Sequence, residues 1–368
     1  MNKKIFKNMD YGILICTIIL ITIGLIALFS ATQNAKGGEF RKQIIWLVIS
    51  IPIVIIVTFV DYELIAKMSP ILYGLTILLL IAVLFTKPIN GATSWFNIGP
   101  VSMQPSEFAK IFVTIALAYY ISKVQERGID EISKIKKVII ALAIIVIPVG
   151  LIIKQPDYGT ALAFAVATVL MLFTAGIKKR YIIIGILLVA IAVPLLYFFV
   201  LPQHAKTRID VFLNPDLDPR GAGYNVIQSK LAIGAGEFLG MGILKGNQTQ
   251  LGFLYPKTTD FIFAVIGEEM GFIIGGTVII TYVILITRII FVAKTAKNAL
   301  GSYIAIGIAG IFLFHMVENI GMTMGLLPIT GVPLPFVSYG GSSLLTNLIM
   351  IALLLNISGR RQKAIFVE

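Results

Sequence analysis

The sequence predicts an all-α integral membrane fold of ten transmembrane helices, with both termini on the cytoplasmic side. Three observations carry this reading. The 368 residues are 58% hydrophobic and only 13% charged, with a mean hydropathy of +0.95, whereas soluble domains run near half apolar and a quarter charged. Ten apolar segments of spanning or near-spanning length follow one another. Basic residues also alternate in density from loop to loop. Eighteen fall on the side of the N-terminus, five in the short loops opposite, and six in one long loop that is exempt from the positive-inside rule.

In chain order the segments are 11–31, 44–60, 69–86, 104–122, 138–153, 159–177, 181–201, 260–292, 299–325 and 338–358. The first is longer than the core of a cleaved leader, and many further spans follow it, so it reads as a true span. It holds Cys16, the single cysteine, which excludes a disulfide framework and fits a small core hydrophobe. Segment 104–122 reaches spanning length only by including Glu107 and Lys110. Segment 260–292 is overlong, and is expected to tilt or to project beyond one face.

Residues 1–368 read as one polytopic domain. Its main asymmetry is an extracytoplasmic loop, 202–259, between the seventh and eighth spans. Structureless loops of this length are usually functional. This one contains an amphipathic stretch, Tyr224–Phe238, interrupted and followed by glycines, which suits a surface or re-entrant segment. No internal repeat stands out, which disfavours an inverted-repeat transporter. The formal charge of +12 is an orientation signal, since no basic stripe marks a nucleic-acid face. No phosphate-binding glycine loop is present.

Charged groups at membrane depth are costly and point to function by default. Glu107 and Lys110, spaced i,i+3, share a helix face and can pair; they either neutralise a polar helix end or line a polar cavity. Asp157 and Asp260 each read as a helix N-cap or as a functional carboxylate. On a straight helix Glu268 and Glu269 lie roughly 12–13 Å along the axis from Asp260. A two-carboxylate glycosidase needs roughly 5–10 Å, so Asp260 is expected to act alone, with Glu268 and Glu269 bonding neighbouring helices or loops. His315 and Glu318 form either a structural pair or a proton relay. His204 is solitary, so no zinc site can be assembled. Prolines and glycines from Pro328 to Ser342 form either a turn into the last span or a shaped wall for a cavity.

Six segments together resemble the SEDS family of bacterial cell-wall polymerases. They are Gly91-Ala92-Thr93-Ser94-Trp95-Phe96, Gln104-Pro105-Ser106-Glu107-Phe108-Ala109-Lys110, Gln155-Pro156-Asp157 with Gly159-Thr160, Gly223-Tyr224-Asn225-Val226-Ile227-Gln228-Ser229-Lys230, Thr259-Asp260-Phe261-Ile262-Phe263-Ala264, and Pro335-Phe336-Val337-Ser338-Tyr339-Gly340-Gly341-Ser342. The resemblance covers nearly the whole chain, and the 223–230 run and short tails lean toward the elongation branch, RodA, over the division branch, FtsW. It implies a peptidoglycan glycosyltransferase of the bacterial cytoplasmic membrane that polymerises lipid II beside a class B penicillin-binding protein. It also implies that Asp260 is the essential aspartate, with Glu107, Lys110, Asp157 and Thr160 around a cavity. Ser229, Lys230, Thr259 and the turn with Ser338, Tyr339 and Gly340 match more loosely. Ala235-Gly236-Glu237-Phe238 departs from the family's Ser-Gly-Gly-Leu, which puts the loop conformation at Glu237 in question.

On this reading Asp260 is a general base, and the departing pyrophosphate is stabilised by Arg208, Lys230 or Lys257, or by a divalent cation such as magnesium or manganese. From composition alone, a lipid flippase or transporter and a non-catalytic scaffold are the rival classes.

Overall fold

The computed structural model describes residues 2–33, 38–88, 92–98, 101–199, 203–214, 217–218 and 221–361. Gly91, Lys36, Arg220 and Lys363, together with the side chains of Lys3, Lys4 and His204, lie outside the described residues.

Helices occupy each of the ten apolar segments. They are α2 (Tyr11–Thr32), α3 (Glu39–Phe59), α5 (Ser69–Val83), α6 (Pro105–Gln125), α7 (Ile135–Lys154), α8 (Tyr158–Thr174), α9 (Lys179–Phe199), α13 (Ile262–Thr295), α14 (Ala299–Thr323) and α15 (Gly341–Gly359). Among the described residues, α2, α3, α7, α13, α14 and α15 are long and apolar enough to cross a membrane, while α5 and α8 are shorter apolar helices. Short helices lie between them: α1 (Asn2–Asn8), α4 (Tyr62–Lys67), α10 (Gln203–Leu213), α11 (Ala222–Ala235) and α12 (Asn247–Gln250). Among the described residues a small antiparallel hairpin, β1 (Phe96–Ile98) with β2 (Val101–Met103), is the one sheet, with Phe96 opposite Met103.

Local chemistry explains where the helices start. Asp10, Asp157 and Asn298 each accept a hydrogen bond from the backbone three residues on, at Ile13, Thr160 and Gly301, and so cap α2, α8 and α14. Pro105 opens α6 where its missing N–H costs nothing. α14 lies at the centre, packed against α13, α8 and α6. Outward-facing Ile71, Leu78, Val146 and Leu188 stay exposed. Such an apolar exterior suits lipid and is costly in water. The chain is a multi-pass membrane protein.

The overlong 260–292 segment is not one continuous helix. α13 is broken at Gly271, whose φ of 72° and ψ of −174° leave the helical region. The two intrahelical bonds opened there, from Phe272 and Ile273 back to Glu268 and Glu269, are replaced one for one by the preceding loop. Phe272 and Ile273 N–H donate to the carbonyls of Glu237 and Phe238, at 2.8 and 3.2 Å. The Glu268 and Glu269 carbonyls accept from Met241 and Gly242, at 2.9 and 3.0 Å. Two backbones meet this closely only without side chains between them. A Cβ at Gly236 would overlap the Gly267 carbonyl, and one at Gly240 the Glu269 carbonyl. Glu237 sits at φ 46°, a left-handed conformation that glycine, the residue of the family pattern at this position, adopts at lower cost; nothing in the structure explains the glutamate.

Gly240→Val is therefore expected to destabilise the protein by about 3 kcal/mol or more, from overpacking and a positive φ. An unchanged melting temperature in detergent would contradict the splice.

Candidate functional site

The stretch from Met324 to Gly340 returns the chain from α14 to α15 through the interior. Val332, Leu334, Phe336 and Val337 in it are buried. Buried irregular backbone needs partners for its carbonyls, and prolines add none. Four side chains supply the donors. Asn319 Nδ2 donates to the Val332 carbonyl at 2.8 Å, and His315 Nδ1 to that of Pro333 at 2.9 Å. The Tyr282 hydroxyl donates to the Pro335 carbonyl, and Gln43 Nε2 to that of Ser338 at 3.2 Å. The turn is thus fastened to α14, α13 and α3 together.

This fastened turn holds Asp260. Tyr339 N–H donates to the Thr258 carbonyl at 2.8 Å, and the Ser338 hydroxyl to that of Thr259 at 2.7 Å. Asn319 Nδ2 reaches the Asp260 carbonyl at 2.9 Å. Three consecutive carbonyls are therefore fixed from outside their own segment. Gly340 N–H closes the arrangement on Gln43 Oε1 at 3.1 Å.

Asp260 itself lies in the loop before α13 and is partly exposed. It does not cap that helix: Phe261 holds the N-cap position, and no side chain caps there. The carboxylate faces Gly331, where a Cβ would come within 3.4 Å of Oδ2. Its surroundings exclude enough water to push the carboxyl above the usual carboxylate range. A hydrogen bond with the Thr259 side chain and the charge of Arg208 oppose the rise.

A second cluster sits at the start of α6. Lys110 Nζ lies 3.0 and 2.9 Å from the two carboxylate oxygens of Glu107, and both side chains are buried. The Thr346 hydroxyl also donates to Glu107, at 3.1 Å. Lys110 Nζ continues to His315 Nε2 at 3.2 Å. Because the Pro333 carbonyl can only accept, Nδ1 carries the ring proton and Nε2 accepts from the ammonium. A continuous chain thus runs from Glu107 through Lys110 and His315 to the turn beside Asp260. Glu318, one turn further on, accepts from Thr330 at 2.8 Å. Asp157 caps α8 and accepts from Gln104 Nε2 at 2.9 Å and the Ser106 hydroxyl at 3.1 Å, which ties α6 to α8. Thr160 is buried beside it. Gly159 lies against Val332 and Thr330 of the turn.

Other residues singled out from sequence have partners of their own. The Ser229 hydroxyl donates to the Thr323 carbonyl at 2.7 Å and anchors α11 on α14. Lys230 is exposed and lies over Gly325. Lys257 Nζ donates to the Thr249 carbonyl at 2.7 Å. Burial lowers its ammonium, while Glu269, Glu39 and Glu268 hold the charge in place. Glu268 and Glu269 lie away from Asp260 chemically. Glu268 accepts from Gln248 N, Thr249 N and the Thr249 hydroxyl at 2.7, 3.0 and 2.6 Å, and Glu269 from Gln250 at 2.8 Å.

Sequence reasoning missed Asn319, Tyr282 and Gln43. Their available signal was a hydrogen-bonding side chain in, or at the edge of, an apolar run. No group of three or more His, Cys, Asp or Glu side chains is arranged around a metal position among the described residues. Asp260 would hold magnesium or manganese only together with phosphate oxygens of a substrate, as hard cations with one or two carboxylates are held.

Comparison with known proteins agrees with this architecture. The family model for the cell cycle proteins FtsW, RodA and SpoVE matches residues 11–363. The chain is 36% identical over 365 residues to the peptidoglycan glycosyltransferase MrdB of Escherichia coli strain K12, covering 98% of this chain and 97% of that protein. It is 32% identical over 431 residues to the peptidoglycan glycosyltransferase RodA of Treponema pallidum, covering 96% and 98%. A solved structure described as the structural coordination of polymerization and crosslinking by a peptidoglycan synthase complex superposes with a TM-score of 0.82. That match has 27% identity and covers 95% of this chain and 97% of that one. A family match over almost the entire length, with the same fold, leaves one assignment: this chain belongs to the SEDS family of FtsW, RodA and SpoVE.

Proposed function

We propose that this peptidoglycan glycosyltransferase polymerises lipid II into glycan strands, with Asp260 as its general base. The observation that carries the role of Asp260 is a carboxylate facing Gly331, in a partly exposed residue whose backbone is fixed at three successive carbonyls. Such preorganisation aims a proton acceptor without reorganisation at the moment of reaction. Asp260 takes the proton from the acceptor sugar's 4-hydroxyl as that oxygen attacks the donor's anomeric carbon, with inversion. The bond from that carbon to the pyrophosphate breaks, and undecaprenyl pyrophosphate leaves as an anion. The leaving group needs no protonated acid behind it, so one carboxylate suffices. A raised proton affinity makes Asp260 a stronger base than an ordinary aspartate.

Arg208, whose charge acts on Asp260, is the cation assigned here to the departing pyrophosphate. Lys257 is engaged with Thr249 and the Glu268–Glu269 region, and Lys230 covers Gly325. A bound divalent cation would add charge neutralisation there.

The setting of this chemistry is a single domain of ten spans in the bacterial cytoplasmic membrane, termini inside, with 202–259 outside and partly re-entrant. Its partner is a class B penicillin-binding protein that cross-links the product, and its role is elongation. Support comes from the ten helices, the alternation of basic loops, and a related structure described as a synthase complex. Proteoliposomes holding the purified protein, its transpeptidase partner and labelled lipid II are expected to accumulate glycan polymer. Labelled lipid crossing the bilayer with no polymer formed would replace this reading with a flippase.

A further inference from the structure

Asn319 stands one turn beyond His315 on α14, and its side chain is fully buried, at 0% exposure. Its Nδ2 donates twice, to the Val332 carbonyl at 2.8 Å and to the Asp260 carbonyl at 2.9 Å. Both neighbours are backbone oxygens that only accept, so the amide has one sensible orientation. Its Oδ1 is left buried with no hydrogen-bond partner. A buried unpaired amide oxygen costs stability. A residue that served only to fill this space would carry no such penalty.

The two bonds join segments far apart in sequence that otherwise meet through the Ser338 hydroxyl and Tyr339 N–H. Those two contacts fix the carbonyls of Thr259 and Thr258. Asn319 alone among the described side chains fixes the carbonyl of Asp260 itself, so that with the Ser338 bond to the Thr259 carbonyl both peptide planes flanking the Asp260 Cα are held. The same amide holds Val332, next to the Gly331 that the carboxylate faces.

We infer that Asn319 is a positioning residue, whose amide sets the direction of the Asp260 carboxylate by tying its backbone to the wall it faces. The inference rests on Asp260 being the base. A misplacement of about 1 Å at a reacting group is enough to cost on the order of a hundredfold in rate, and the effect should fall on turnover, because Asn319 is too deeply buried to touch substrate.

The test is steady-state polymerisation of lipid II by the full-length protein with its transpeptidase partner. It compares wild type, Asn319→Leu, Asn319→Asp and Asn319→Ser, with Asp260→Asn as the control. Leu and Asp both remove the donating amide, Asp at nearly unchanged shape, while Ser keeps one donor. The expected result is kcat lowered roughly ten- to a hundredfold in Leu and Asp, a smaller loss in Ser, and KM for lipid II within about twofold. The Asp variant is expected to melt below wild type, because its buried carboxyl faces two carbonyl oxygens, while the Ser variant should stay closer to wild type, and kcat is compared on folded protein. If Asn319→Leu does not fold, Asp and Ser carry the comparison. A folded Asp variant with wild-type kcat, or a loss lying in KM, overturns the inference. Activity retained by Asp260→Asn overturns the base assignment instead, so the two failures are distinguishable.

Discussion

Asp260→Asn is expected to lower lipid II polymerisation by about two to four orders of magnitude, the range a general base contributes, in a protein that folds normally. The substitution keeps the shape of the side chain and removes only its charge and its capacity to take a proton. None of the bonds that fix the local backbone uses the carboxylate: the Tyr339 N–H, the Ser338 hydroxyl and the Asn319 amide all end on carbonyl oxygens. Melting temperature and capture of the transpeptidase partner are therefore expected to match wild type, which separates a chemical loss from a structural one. Wild-type rates in the Asn variant would exclude Asp260 as the base.

The same residue makes a prediction about pH. A base works only when deprotonated, so wild-type activity should disappear as pH falls through the Asp260 pKa. Water exclusion raises that pKa above the ordinary carboxylate range, and Arg208 partly offsets the rise. The acid limb of kcat/KM is expected above the usual aspartate range. Arg208→Gln should move it further up.

Lys110→Met is expected to carry the largest stability cost, about 3–5 kcal/mol, the range for removing one partner of a buried ion pair. Lys110 is fully buried and spans Glu107 and His315. Its loss leaves the Glu107 carboxylate with the Thr346 hydroxyl as its remaining side-chain donor, a small compensation for a buried charge. The double variant Glu107→Gln with Lys110→Met removes both charges and should recover most of the loss, as buried pairs often do when replaced together. Thermal unfolding in detergent of the two singles and the double closes the cycle. Additive losses would mean that the pair is not coupled.

Much of the architecture was legible from residue order. Hydropathy located helices in all ten apolar segments, six of them long and apolar enough to cross a membrane among the described residues, because a helix in lipid must be apolar over most of its length. The expectation that Glu268 and Glu269 bond neighbouring helices or loops holds. Their carboxylates turn out to accept from Gln248, Thr249 and Gln250, residues of the long loop whose path has no signature in periodicity. The break at Gly271 was not legible, because a glycine that ends a helical turn looks the same in sequence as Gly275 or Gly276, which leave α13 intact. Asn319 was missed for a related reason. It lies beside Glu318, whose charge draws attention, while the amide that fixes Asp260 depends on a turn arriving from residues 324–340. Long-range partnership of this kind is set by the fold, and local pattern does not carry it.

The splice in α13 also changes what a membrane helix reports. The amide protons of Phe272 and Ile273 belong to an apolar span, yet their acceptors are Glu237 and Phe238. Their protection from solvent exchange is thus owed to the loop that precedes the helix. Cutting or pulling that segment would expose two amides within a membrane helix while every residue of the helix itself is unchanged.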